Sequence, residues 1–88
     1  MSTRKWFVYI IETQAGLFYT GITTDPERRL KEHQTGPKGA KFMRGKGVRG
    51  IVFLKEGKNR SVVSRFEARI KKLKRSEKQQ LIRGELIL

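Results

Sequence analysis

The run Trp6-Phe7-Val8-Tyr9-Ile10-Ile11 limits what this chain can become more than any other stretch of it. All of these residues are apolar or aromatic, so an extended segment made from them has no side to leave in water. A strand of this kind belongs in the middle of a sheet, covered on both faces. The chain has only 88 residues, fewer than the ~100–150 of a common domain. There is material for one core and no second. The expectation is a single domain spanning 1–88, with its core in about residues 5–83.

The rest of the chain supplies the cover. Turn-forming residues at 12–16 lead into Leu17-Phe18-Tyr19-Thr20-Gly21-Ile22-Thr23, so residues 6–23 read as a hairpin. A helix follows with two possible starts. Either Thr24 caps it in a box with Glu27, or Asp25 caps it and Pro26 takes the first helical position. Gly36 and Pro37 should end it. Residues 35–50 form a glycine-rich basic segment, with room for one helical turn at 40–44, and a third strand is expected at 50–54. After a loop at 56–60, Val62, Val63, Phe66, Ile70 and Leu73 recur at helical spacing, which predicts a helix over 61–74 capped by Ser61. Ser76 and Gln79 match the cap of a last short helix, with Leu81 and Ile82 inward and Gly84 at its end. The fold class is α+β: a small three-stranded, mostly antiparallel sheet flanked by helices.

Charge narrows the partners. Twenty-one Lys and Arg face eight Asp and Glu, a net +13. Such an excess favours a polyanion and steers it from a distance. Thirteen of the basic residues lie in 45–88 against eight in 1–44. Lys38, Lys41, Arg44, Lys46 and Arg49 on the glycine-rich segment, with Arg69 and Lys72 on the long helix, are the candidate phosphate contacts. There is no cysteine, which excludes disulfides and thiolate zinc sites. The first residues lack the apolar core of a signal peptide, and no run approaches a membrane span. The expectation is a cytoplasmic protein, monomeric, without a membrane partner.

Tyr9, Tyr19 and Arg29 stand ten residues apart, and His33 follows Arg29 by four. The two tyrosines lie on strands of one hairpin, and Arg29 and His33 share a helix face. Singly, each has an ordinary explanation: tyrosine is common in strands, and Arg and His on helix surfaces. Together they place two phenols, a guanidinium and an imidazole where chemistry on a phosphate could occur. Gly21, two residues after Tyr19, leaves room beside it for another backbone or a ligand. Glu67 falls at the edge of the long helix's apolar stripe, beside Val63 and Ile70, where a rigid element could hold a carboxylate toward a cleft.

The ordered set resembles the GIY-YIG nuclease superfamily, best the small stand-alone bacterial members. Phe7-Val8-Tyr9 and Tyr19-Thr20-Gly21 stand where the two naming triplets stand, and Gly39-Ala40-Lys41 and Ile70-Lys71-Lys72-Leu73 are also alike. The resemblance implies a metal-dependent endonuclease that hydrolyses DNA phosphodiester bonds, structure-specific and linked to DNA repair or recombination. By the same resemblance Tyr9 is the general base, with Tyr19 orienting it or the water, and a nearby guanidinium together with a divalent cation would favour the phenolate. Arg29 pairs with the scissile phosphate, His33 donates a proton or binds phosphate, and Glu67 holds one Mg2+ or Mn2+. A second reading is a binding module on this fold with little or no cleavage, and the charge equally permits ribosome- or RNA-associated roles. DNA is the expected partner ahead of RNA. Without a separate recognition domain, sequence specificity would need a protein partner.

Overall fold

The computed structural model describes residues 5–35 and 47–88. Strand β1 (Trp6–Thr13) lies between β2 (Phe18–Thr23) and β3 (Val48–Gly57), all antiparallel, in the order β2-β1-β3. The doubly apolar run is thus the central strand, as its composition requires. Val8, Tyr9, Ile10 and Ile11 are all buried. The hairpin closes at Gly16, whose φ of +82° lies in the left-handed region. Thr13 ties the turn from inside: its hydroxyl accepts from the Leu17 N–H at 3.0 Å.

The sheet separates two apolar clusters. On one face Val8 and Ile10 pack with Val63 and Ile70 of α2 (Arg60–Lys72) and Leu81 of α3 (Arg75–Ile82). On the other, Tyr9 and Ile11 pack with Tyr19, Ile51, Val48 and Leu30, the last from α1 (Pro26–Thr35). The pairing register puts Tyr9 opposite Gly21 and Ile11 opposite Tyr19, so these four share the α1 face. Both tyrosines therefore look toward the helix that carries Arg29 and His33.

The two possible starts of α1 are resolved in favour of Asp25. Its carboxylate accepts from the Arg28 N–H at 3.1 Å, and Pro26 is the first helical residue. Gly84 ends α3 as expected. With φ +79° it closes a Schellman motif, Glu85 N–H to Gln80 O at 2.8 Å and Gly84 N–H to Leu81 O at 3.1 Å.

Three expectations need correction. The third strand is not confined to 50–54 but runs through Val48–Gly57. Arg49, Lys55 and Glu56 look like loop residues, yet an edge strand leaves such side chains in water. The cap of α2 is Asn59, not Ser61: its side chain accepts from the Val62 N–H at 3.0 Å. The cap of α3 is Lys74, not Ser76. A lysine ammonium cannot accept a hydrogen bond, so only the return half of a capping box exists there, Lys74 N–H to Glu77 at 2.8 Å. The expected helix stop at Gly36-Pro37 and the turn at 40–44 lie outside the described residues.

Moving the α2 cap has a measurable consequence. Asn59→Ala should cost about 1 kcal/mol, read as a lower urea midpoint with unchanged slope, whereas Ser61→Ala should stay near wild type. The reverse ranking would return the cap to Ser61.

Candidate active site

The site begins at a missing side chain. A Cβ on Gly21 would sit 2.5 Å from the Tyr9 hydroxyl and 2.7 Å from Cζ. The Tyr9 ring therefore lies over the position where Gly21 has nothing. The sequence expectation of open space beside Tyr19 is corrected here, since the phenol of Tyr9 fills that space. The ring is held there, only 1% exposed.

Three further groups converge on this phenol. His33 Nε2 is 3.2 Å from the Tyr9 hydroxyl, and Arg29 also hydrogen-bonds it. The rings of Tyr9 and Tyr19 lie 6.4 Å apart, and Tyr19 meets His33 edge-on at 5.1 Å. The helical spacing of Arg29 and His33 thus places two nitrogen groups on one oxygen. On its outer side the Arg29 guanidinium binds Glu32 at 3.1 Å. Sequence reasoning passed over Glu32, although Arg29-x-x-Glu32 is an i,i+3 pair on one helix face and could have been read as such.

Burial pushes the Tyr9 hydroxyl above the ordinary phenol range, while Arg29 pulls it down by hydrogen bond and by charge; burial wins. Arg29 alone does not favour a phenolate, so in the free protein the resting group is a neutral phenol. Arg29 is held charged, first by its bond to Tyr9 and then, against the cost of burial, by Glu32. Burial, then Arg29, push His33 below the usual imidazole value, with Glu32 opposing them. The imidazole is neutral near pH 7. At 5% exposure, with Nε2 on Tyr9, it faces the phenol and not solvent.

Glu67 stands on α2 with its side chain 24% exposed and its carboxylate 3.4 Å from Lys71. It reaches Tyr9 through its field, the smallest of the influences on that phenol. Among the described residues no group of three or more His, Asp or Glu could enclose a metal ion. One hard carboxylate on a rigid helix still suits a cation that keeps most of its water and takes its other ligands from substrate oxygens, as Mg2+ does. Of the candidate phosphate contacts, Arg49 is exposed on β3, and Arg69 and Lys72 are exposed on α2. Lys38, Lys41, Arg44 and Lys46 lie outside the described residues. No helix among these residues is long and apolar enough to cross a membrane.

Known proteins resemble this chain over nearly its whole length. The model of the GIY-YIG catalytic domain matches residues 5–80. The UPF0213 protein of Yersinia enterocolitica is 45% identical over 85 residues, covering 97% of this chain and 87% of that protein. A UPF0213 protein of Yersinia pestis is 46% identical over 82 residues, covering 93% and 85%. Among solved structures, the solution NMR structure of a UPF0213 protein from Bacillus halodurans superposes with a TM-score of 0.58. It is 39% identical and covers 92% of this chain and 85% of that one.

Two measurements check the geometry. Gly→Ala in a strand is favourable on backbone entropy alone, but Gly21→Ala should cost about 1–3 kcal/mol because the new methyl must displace a packed ring. An unfolding free energy equal to or above wild type would mean the ring is not seated there. Separately, His33 is the only histidine, and its folded pKa lies below its unfolded one. The unfolded chain therefore takes up the proton first. Stability should be full above about pH 6.5 and fall as pH drops through that value. Melting temperatures between about pH 7.5 and 5 should show the loss, and His33→Gln should flatten it.

Proposed function

The chain belongs to the GIY-YIG catalytic-domain family, and we propose that it is a metal-dependent endonuclease hydrolysing phosphodiester bonds in DNA. The observation that carries this is the meeting of the Tyr9 hydroxyl, His33 Nε2 and the Arg29 guanidinium at one point. Hydrolysis needs a base for water, a cation for the phosphate oxygens and help for the departing oxygen. The first two are supplied there.

With the phenol oxygen accepting from Arg29, its proton points to His33 Nε2, and the neutral imidazole carries its own proton on Nδ1. A buried phenol is a poor base alone. Passing its proton to His33 while taking one from water leaves Tyr9 neutral at the end, so the costly phenolate need not accumulate. His33 thereby becomes the imidazolium and releases the proton afterwards. Tyr19 fixes the imidazole plane through its edge contact. Arg29 turns its planar fork to two phosphate oxygens. Glu67 would hold Mg2+ or Mn2+. That ion, when bound, stabilises negative charge on the leaving oxygen. The exposed Arg49, Arg69 and Lys72 grip backbone phosphates and carry no base readout. Selectivity would then come from DNA structure, as in repair or recombination intermediates, or from a protein partner.

One observation favours a second reading, a binding module with little or no cleavage. Lys71 already neutralises Glu67, and among the described residues no group of three or more His, Asp or Glu is gathered to hold a metal ion. An exposed i,i+4 pair is worth only about 0.3–0.5 kcal/mol, however, so a divalent cation can displace the ammonium.

A cleavage assay on linear, nicked and branched DNA with Mg2+ or Mn2+ decides between them. Wild type should cut. Tyr9→Phe should abolish cutting with DNA affinity kept and stability lowered by no more than a hydrogen bond, about 0.5–1.5 kcal/mol. Glu67→Gln should abolish cutting with affinity equal or higher, since a negative charge leaves the phosphate site. Normal cutting by either variant rejects its assigned role. Salt-sensitive binding without cutting by any of the three establishes the module.

A further inference from the structure

We propose that Glu32 is a positioning residue that occupies the place of a backbone phosphate on Arg29 in the free protein. Resting on the nuclease reading, the proposal identifies the anion exchange by which substrate enters the site. The Arg29 side chain is 31% exposed and bonds the Tyr9 hydroxyl on its inner side and Glu32 at 3.1 Å on its outer side. The guanidinium is therefore spread between the phenol and a carboxylate. A carboxylate and a phosphate present similar paired oxygens to a planar fork. Glu32 holds the fork through Nη1 alone, and a phosphodiester that takes two nitrogens of the fork must draw Nη1 away from it.

This exchange explains two features that look adverse for a nuclease. The Tyr9 ring is buried, and Arg29 lies on its hydroxyl. When the guanidinium turns outward to phosphate, the hydroxyl loses that bond and gains a path to the water beside the scissile bond. Glu32, itself 30% exposed, is free to return to solvent. A single small anion offers little more than Glu32 already does. A polyanion held by Arg49, Arg69 and Lys72 arrives at high effective concentration and wins. Glu32 would thus admit chains of phosphates and reject isolated ones.

The test is a double-mutant cycle of DNA affinity, measured without divalent metal so that no cutting occurs. Glu32→Gln should bind duplex DNA roughly two- to fivefold tighter than wild type, the range an exposed ion pair can supply. In an Arg29→Gln background the same change should give at least about twofold less, because only the net charge then differs. An Arg29→Lys background serves as a second control that retains the charge and loses the fork. Equal gains in all backgrounds would overturn the proposal, since Glu32 would then act through net charge alone. Inorganic phosphate should bind Glu32→Gln measurably and wild type hardly; equal binding by both also overturns it. A free-protein arm keeps the two readings apart. NMR titration of His33 should show its pKa fall further in Glu32→Gln, as the opposing carboxylate is lost. If no protein binds DNA, the nuclease reading fails, and the phosphate and His33 arms still decide whether Glu32 restrains Arg29; an unshifted His33 rejects it.

Discussion

The Tyr9 ring rests on Gly21, its partner on β2, and the geometry of the candidate site follows from that contact. Register makes it possible. With Tyr9 opposite Gly21, Tyr19 falls opposite Ile11, one rung along on the same face. A slip of one residue would send Tyr9 into the cluster of Val8 and Ile10 and bring a hydrophobic residue out. The doubly apolar β1 therefore does more than form a core, because its alternation separates the Tyr9 ring from the side chains of the opposite cluster.

Polarity around that ring is resolved by competition. Burial raises the phenol and lowers the imidazole, so both are neutral. Arg29 is the one charged group on the Tyr9 hydroxyl, and Glu32 balances it. A site of neutral donors and one compensated cation is affordable inside an 88-residue fold, where an unpaired buried charge would not be.

What the sequence disclosed followed physical signal strength. The central strand, the hairpin, the stripe of α2 and the Gly84 stop were all legible, because burial on two faces, period 3.6 and a left-handed glycine leave strong marks. The caps were less so. Asn59, Ser61, Lys74 and Ser76 lie within two residues of the true starts, and choosing among them needs the dihedral angles that only the fold fixes. The ends of β3 were hidden because an edge strand tolerates the polar residues of a loop. In the site, the family triplets led to Tyr9, Tyr19, Arg29 and His33. Gly21 was read as room for another backbone or a ligand, whereas its occupant is a side chain from the neighbouring strand. The phenol's neutrality could not be read at all, since it depends on how deeply the ring sinks.

The two faces of the sheet are unequally secured. The face with Val8 and Ile10 is closed by two helices through Val63, Ile70 and Leu81. The face with Tyr9 is closed by α1, whose apolar contact is Leu30. Among the described residues, its other side chains that meet the sheet are polar: His33, on the Tyr9 hydroxyl and edge-on to the Tyr19 ring, and Arg29, on the same phenol. This attachment has less apolar contact, among the described residues, than the one α2 and α3 make on the opposite face, which favours sub-global opening there first. Substrate that draws Arg29 off the phenol would leave Leu30 and His33 to hold the helix. In this small protein, docking α1 and recognising the ligand compete for the same guanidinium, so part of the binding free energy offsets a contact given up within the fold.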